Sequence, residues 1–267
     1  MTATMQTIIP CVAIVIGCAL GYLCGAIPVG LIVGRKVHGI DIREHGSGNV
    51  GTTNAIRILG VGPGIVVMCG DILKGMLAVV LMFAMLELGE TCWALGGGTG
   101  ALGISGGWIQ DLAGSLALSS AVIGHMYSPF MHFKGGKGIA TAFGALCIIL
   151  PWSALICLII LLELVITTRY MSLGSICATL SLPITCALIH PGHPILFWFC
   201  VLVCLLILYA HKGNIVRLVH GTERKFSVGS SKHPDSDGDA SHKADNADDA
   251  ACTHEGAPGE HDERSSR

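Results

Sequence analysis

Residues 139–168 read IATAFGALCIILPWSALICLIILLELVITT, an apolar run with a proline at its centre and a single ionisable residue, Glu163. Taken as one membrane span, it puts Lys134 and Lys137 on one side of the bilayer and Arg169 on the other. Pro151 offers a second reading. A proline disfavours helix at the residue before it and removes a hydrogen bond from the helical ladder. The run then becomes two helices meeting near Pro151, and Arg169 returns to the side of Lys134 and Lys137. The first helix has about 14 residues, roughly 20 Å at the usual rise, short of a bilayer. It must be tilted, kinked or buried among other helices.

The same reading extends along the chain. Other apolar segments cover roughly 8–33, 61–88, 112–131, 171–189 and 194–210. Cations cluster at Arg35, Lys36, Arg43 and Arg57, at Lys134 and Lys137, at Arg169, and at Lys212, Arg217, Arg224 and Lys225, whereas 89–111 and 190–193 contain none. Cytoplasmic loops carry the excess of Lys and Arg. With the Pro151 break, about seven transmembrane segments satisfy every cluster, with the N-terminus outside and the C-terminus inside. The fold expected is an all-α polytopic membrane bundle whose polar motifs all lie on the cytoplasmic face.

Composition agrees. The chain has 267 residues, 52% hydrophobic and 13% charged, with mean hydropathy +0.67, where a soluble domain carries about a quarter charged residues. The net charge of −2 averages two unlike parts. Residues 1–228 carry twelve Lys/Arg and eight Asp/Glu, and 229–267 carry four and ten. We read 1–228 as the membrane domain and 229–267, which lacks apolar periodicity, as an acidic disordered cytoplasmic tail. No Lys or Arg precedes Arg35, and the first apolar run is too long for a secretory signal, so it reads as a retained span. Most of the twelve cysteines lie in apolar stretches and none forms a CxxC pair, which makes them small hydrophobes and not metal ligands. Membrane lipid is the expected surrounding, and no nucleic-acid partner is indicated.

Two glycine-rich cationic stretches interrupt this apolar chain, at 46–54 (GSGNVGTTN) and 133–141 (FKGGKGIAT). Irregular backbone between spans is costly unless it lines a polar cavity. Glycines let backbone N–H groups crowd around an anion, and Arg57, Lys134 and Lys137 supply countercharge. In the first stretch Gly46, Ser47, Gly48, Asn49, Thr53 and Asn54 offer amide and hydroxyl groups, and Arg57 can hold a phosphate with two parallel hydrogen bonds. In the second, Gly135, Gly136 and Gly138 permit close approach, Lys137 neutralises charge, and a helix starting near Ile139 aims its N–H groups at the site.

Formal matches to nucleotide motifs fail on context. Gly46-x-Gly48-x-x-Gly51 and the similar pattern at 98–103 lack a strand–turn–helix setting. A Walker A motif ending at Lys137 would need glycine at Met131 and Ser or Thr at Gly138. Asp71 and Lys74 read as a helix-start pair snorkelling to the interface. Ser172 can cap the helix after Arg169 or touch ligand. His211, Asn214 and Arg217 follow the last apolar segment.

The stretches GSGNVGTTNAIRILG (46–60), GHMYSPFMHFKGGKGIAT (124–141), RYMSLGSI (169–176) and HKGNIVRL (211–218) together resemble the integral-membrane, acyl-phosphate-dependent glycerol-3-phosphate acyltransferases of bacteria. The resemblance covers about residues 8–226. It implies a seven-helix enzyme of the inner (plasma) membrane, with its active site facing the cytoplasm. Such an enzyme moves a fatty acyl group from long-chain acyl phosphate to glycerol 3-phosphate, giving 1-acylglycerol 3-phosphate and inorganic phosphate, the first step of phospholipid synthesis. It implies roles for Ser47 and Arg57, glycerol 3-phosphate binding at Gly135, Gly136, Lys137 and Gly138, and a third polar region at Ser172, His211 and Asn214. No cofactor is implied, and an acyl-phosphate-producing enzyme is the implied functional partner. Thr52, His132 and the stretch 210–213 depart from the family pattern.

Acyl phosphate is a mixed anhydride with a good leaving group, so placing a hydroxyl against its carbonyl and neutralising charge suffice. Direct transfer needs no acyl-enzyme, with a substrate phosphate oxygen or His211 taking the proton. Thioester-dependent acyltransferases use His-x4-Asp, and none of the twelve histidines has Asp five positions on. An organophosphate transporter would also want cationic glycine-rich loops, but the motifs gather on one face and no inverted repeat is visible.

Overall fold

Leu150, with φ −140° and ψ 62°, ends one helix and caps the next, and Pro151 occupies the first turn of that second helix, where its missing N–H costs nothing. This break organises a structure, here a computed structural model, that describes residues 3–96 and 107–226. These residues are helical with irregular connections, without strands among them. The glycine pattern at 98–103 and the acidic tail 229–267 lie outside the described residues.

In chain order the helices are α1 (Ala3–Ala26), α2 (Val29–Val33), α3 (Thr52–Leu59), α4 (Val61–Leu95), α5 (Trp108–Met126), α6 (Ile139–Ile149), α7 (Pro151–Thr168), α8 (Met171–Ile189), α9 (Pro194–Ala210) and α10 (Lys212–Val219). Pro28 separates α1 from α2, and Gly60, at φ 91°, separates α3 from α4. Among the described residues, four helical stretches are long and apolar enough to cross a membrane: Thr7–His38, Val61–Leu95, Pro151–Thr168 and Met171–Ile189. The pair α9 and α10 passes the same test together, bent by 63° at His211.

Two helices fall short of that test for different reasons. α6 has 11 residues, and it is the short, interior helix required by the break. It packs against α4, α5 and α7. α5 has 19 residues but carries Gln110, Asp111 and several serines. It contacts α1, α4, α6 and α9 and buries most of one long face, so protein surrounds Ser115, Ser119 and His125, while Gln110 near its start is exposed.

Small residues set these approaches, as expected where lipid supplies no hydrophobic drive between helices. A Cβ at Gly75 of α4 would lie 2.0 Å from the Thr141 carbonyl oxygen, and one at Gly144 of α6 would lie 2.0 Å from that of Ile72. Most of the buried residues are apolar, with Val79, Met82, Leu118, Val122, Leu150 and Val203 fully covered. Large apolar side chains such as Val66, Leu73, Ile159, Leu188 and Leu205 face outward, where a bilayer would cover them.

Because two backbones meet at Gly75, a side chain there must separate α4 from α6. Gly75→Leu should cost at least about 1–3 kcal/mol from overpacking. Thermal unfolding in detergent should show the midpoint lowered by several degrees or the folded fraction lost, while Gly62→Leu, at a glycine with open space around it, should behave as wild type.

Candidate active site

The first glycine-rich stretch is folded around Asn54. Its Oδ1 accepts the Ser47 N–H at 3.0 Å, and its Nδ2 donates to the carbonyls of Ile42 and His45 at 3.2 and 3.1 Å. Asn54 is 2% exposed, so the amide organises the loop from within. Gly46 and Gly48 take the left-handed conformation, at φ 66° and 67°, where a side chain would be strained. A Cβ at Gly46 would also strike Asn54 Oδ1. Asn49 Oδ1 accepts the Gly51 N–H at 2.8 Å, just ahead of α3. Ser47 is exposed at the loop's outer side, Thr53 is half-buried, and Arg57 projects from α3.

The second stretch is docked on the end of α5. Gly135 N–H donates to the Met126 carbonyl at 2.9 Å and Gly136 N–H to the His125 carbonyl at 3.1 Å. A Cβ at Gly135 would lie 1.9 Å from the His125 carbonyl oxygen, and one at Gly136 2.1 Å from His125 Nε2. These two glycines therefore turn toward helix α5, and their N–H groups are bonded there. The donors left for an anion are the unsatisfied first-turn N–H groups of α6, which begins at Ile139 behind Gly138. Ser128 ties the preceding turn to α1, its hydroxyl donating to the Ala26 carbonyl at 2.6 Å.

Asp71 and Lys74 do not snorkel. They are 3% and 5% exposed. Lys74 Nζ lies 2.8 Å from Asp71 Oδ1, 3.0 Å from the Ile27 carbonyl oxygen and 2.7 Å from His125 Nδ1. The interfacial reading fails because α4 starts well before the pair, at Val61, and the chain just after α1 and the end of α5 close over Lys74 through the Ile27 carbonyl and His125.

The third region joins the second through side chains. Lys137 Nζ donates to Asn214 Oδ1, whose Nδ2 donates to Glu223 Oε1 at 2.7 Å. Glu223 Oε2 accepts from Arg217 Nε at 2.8 Å. Partial burial opposes ionisation of Glu223, but the nearby Ser172 hydroxyl and the hydrogen bonds from Asn214 and Arg217 outweigh it and hold the carboxyl below its ordinary range. Ser172 lies inside the first turn of α8, after Tyr170 as the capping residue, and is buried. Phe226 N–H donates to the Arg169 carbonyl at 2.7 Å and fastens the segment after α10 to the start of α8. Burial and the neighbouring Arg224 push Arg57 below the usual guanidinium value, with Glu223 acting the other way. Burial lowers Lys137 to about 8, and Arg217 adds to this while Glu223 opposes it.

His211 sits at the bend after α9, 2% exposed. Its Nδ1 lies 2.8 Å from the Ile207 carbonyl oxygen. A carbonyl only accepts, so Nδ1 carries the proton and Nε2 keeps a free lone pair. Burial, then the Lys137 cation, lower this histidine to about 4. It is neutral near pH 7, with Nε2 as an acceptor.

A cleft of about 230 Å³ opens between these parts, lined by Asn49, Tyr127, Lys134, Gly135, Lys137 and Lys212 among others. The fold thus brings Asn49, Gly135, Gly136 and Lys137 to one opening and links Asn214, Ser172 and His211 to Lys137. Arg57 is joined electrostatically through Glu223, and Ser47, Gly46, Gly48 and Asn54 belong to the adjoining loop. Sequence reading missed Glu223 and His125. Glu223 lies outside the apolar pattern altogether. Asp71 and Lys74, two ionisable residues in one span, were the available signal for His125. No group of His, Cys, Asp and Glu suited to a metal occurs among the described residues.

Comparison with known proteins places this geometry. Residues 15–221 match the family model described as glycerol-3-phosphate acyltransferase. The glycerol-3-phosphate acyltransferase of Halalkalibacterium halodurans is 35% identical over 208 residues, covering 77% of this chain and 91% of that protein. That of Thermus thermophilus is 40% identical over 208 residues, covering 78% and 92%. Among solved structures, PlsY (YgiH), an integral membrane glycerol 3-phosphate acyltransferase, in its glycerol 3-phosphate form, superposes with a TM-score of 0.67 at 32% identity, covering 80% of this chain and 96% of that one. Its lysophosphatidic acid form gives 0.64 at 30% identity. With its helices, its loops and its sequence all matched along most of their length, the chain belongs to the glycerol-3-phosphate acyltransferase family.

Proposed function

We propose that this protein is an integral-membrane enzyme that transfers a fatty acyl group from acyl phosphate to glycerol 3-phosphate. The hydroxyl oxygen attacks the acyl carbonyl, the bond from carbonyl carbon to phosphate oxygen breaks, and inorganic phosphate leaves with the electron pair. The products are 1-acylglycerol 3-phosphate and phosphate, at the entry to phospholipid synthesis. The observation that carries this reading is the cleft lined by Asn49, Lys134, Lys137 and Lys212, with the buried, neutral His211 next to Lys212 in the chain and within electrostatic reach of Lys137. Anionic substrates need such countercharge, and an activated mixed anhydride needs little else.

In this reading Lys137 and the α6 N–H groups hold one phosphate. Arg57, Ser47, Asn49 and Thr53 face the other, on the rim formed by the first loop. Gly46, Gly48 and Asn54 shape that rim, and Gly135, Gly136 and Gly138 set the path of the second. Asn214 orients Lys137 directly and is held in turn by Glu223, beside which Ser172 is buried. His211 Nε2, or a substrate phosphate oxygen, receives the hydroxyl proton. The helices of eleven or more residues, seven among those described, act as seven membrane segments, with the N-terminus outside and the C-terminus inside. The cleft then faces the cytoplasm of a bacterial cell across the inner membrane, where an acyl-phosphate-producing enzyme supplies the donor. Residues 229–267 form an acidic tail on that side.

Purified protein given palmitoyl phosphate should release phosphate only when glycerol 3-phosphate is present, with matching lysophosphatidate, and should form none from palmitoyl-CoA. Release without acceptor dependence, or turnover of the thioester alone, would overturn the donor assignment. Absence of turnover in a folded sample, with flux of glycerol phosphate in vesicles, would favour transport.

The lowered Lys137 value fixes the direction of one pH effect. The ammonium is present below about 8 and is lost as pH rises through it. Because kcat/KM reports groups of the free enzyme, kcat/KM for glycerol 3-phosphate should fall above about pH 8. Lys137→Arg, which stays charged, should move that fall upward, and Lys137→Met should lose roughly 100-fold or more at pH 7. His211→Ala should lower kcat by about 100-fold if Nε2 takes the proton. Near-normal turnover from pH 6 to 9 would assign that step to the substrate phosphate.

A further inference from the structure

The proposed reaction does not use the most deeply buried ionisable cluster among the described residues. Asp71, Lys74 and His125 are each no more than 5% exposed, and they lie beneath the second glycine-rich loop. Hydrogen-bond accounting fixes their arrangement. An ammonium has three donors and no acceptor. Around Lys74 Nζ stand the Asp71 carboxylate at 2.8 Å, the Ile27 carbonyl at 3.0 Å and His125 Nδ1 at 2.7 Å. The first two can only accept, and the carboxylate favours the charged lysine, so Lys74 donates to all three. His125 Nδ1 must then offer its lone pair and carry its proton on Nε2. The distance from His125 Nδ1 to Asp71 Oδ1, 3.6 Å, is too long for a competing bond.

The imidazole held in this way touches the loop on its other side. Nε2 occupies the space that a side chain at Gly136 would take, 2.1 Å from the Cβ position. The His125 carbonyl accepts the Gly136 N–H and lies 1.9 Å from where a Cβ of Gly135 would stand. The next residue along is Lys137, whose Nζ reaches Asn214. A continuous series of contacts therefore runs from α1 and α4, through Lys74 and the ring of His125, to the backbone from which Lys137 projects.

We propose that Asp71, Lys74 and His125 are positioning residues that fix the Gly135–Gly136 backbone and so place Lys137 and the start of α6 for glycerol 3-phosphate. Stability is a weak explanation for such a cluster. Burying an ammonium and a carboxylate is costly before pairing, and apolar residues of similar volume in their place are often neutral or stabilising. What apolar residues cannot do is fix one tautomer and one rotation of the imidazole. The proposal rests on the substrate reading given above, and its primary test does not require turnover.

The test is the doubly substituted protein Asp71→Leu/Lys74→Met, which removes both charges together and leaves no unpaired ion. Amide hydrogen exchange, followed by mass spectrometry on peptides spanning 126–138, reads the Gly135 and Gly136 N–H bonds directly. Exchange there should rise by about tenfold or more, with α8 and α9 unchanged. In the same protein KM for glycerol 3-phosphate should rise about tenfold, while KM for palmitoyl phosphate stays within about twofold. A second cycle uses the contact itself. Gly136→Ala should be severe in the wild type but markedly less so in His125→Ala, where the ring no longer fills the Cβ position. Unchanged loop exchange, faster exchange throughout the bundle, additive effects in the cycle, or faster loop exchange with an unchanged acceptor KM would each overturn the proposal. Inactive wild-type protein with loop exchange that responds only locally would instead count against the substrate reading, and the coupling of the cluster to the loop would stand.

Discussion

One buried ammonium sits where four parts of the chain meet. Lys74 Nζ spends its three protons on α4 itself through Asp71, on the end of α1 through the Ile27 carbonyl, and on α5 through His125. Ser128, two residues beyond the end of α5, returns to Ala26 of α1. The glycine-rich loop then lies on His125. A charge in this position has no bulk water to turn to, so leaving any one partner out would expose the full cost of burying it. The helices are thereby held in one relation to each other at the end that carries the cleft. At the level of the α4 and α6 crossing, Gly75 and Gly144 do the equivalent work by steric means, because neither backbone can approach the other if a side chain intervenes.

The glycines of the second loop illustrate how one residue type can serve a different physical need from the one its motif suggests. Next to lysines, Gly-Gly reads as open backbone waiting for a phosphate. In the fold, Gly135 and Gly136 give their N–H groups to α5 and use their missing side chains to approach His125. Asn54 is a parallel case in the first loop. Its amide is consumed by Ser47, Ile42 and His45, which leaves the shape of the loop, and not a free polar group, as its contribution. Countercharge comes instead from Lys137, and its strength depends on Glu223, which partly offsets the lowering that burial and Arg217 impose.

The helix boundaries were legible because they follow from local rules. Pro151 disfavours helix at the residue before it, and the structure breaks at Leu150, whereas Pro183 is absorbed within α8. Ile139 starts a helix after a glycine, and Arg169 ends one. The apolar segments at 171–189 and 194–210 became helices with those limits. Legibility failed for Asp71 and Lys74, whose i, i+3 spacing at a helix start fits an interfacial pair as well as a buried one. It failed too for Glu223, since a glutamate after the last helix looks like any solvated charge until the fold places it beside Asn214, Arg217 and Ser172.

By itself, the sequence determined the helical class, the break at Pro151, the two glycine-rich loops and the cations beside them, because hydropathy, proline and glycine act within a few residues of where they stand. Only the tertiary structure decided which polar groups are spent on the protein and which remain for a ligand. That division depends on partners far apart in the chain, Lys74 with Ile27 and His125, and Lys137 with Asn214 and Glu223. A hydrogen bond satisfies a donor regardless of sequence distance, so no local pattern can reveal whether a given amide, imidazole or ammonium is already occupied.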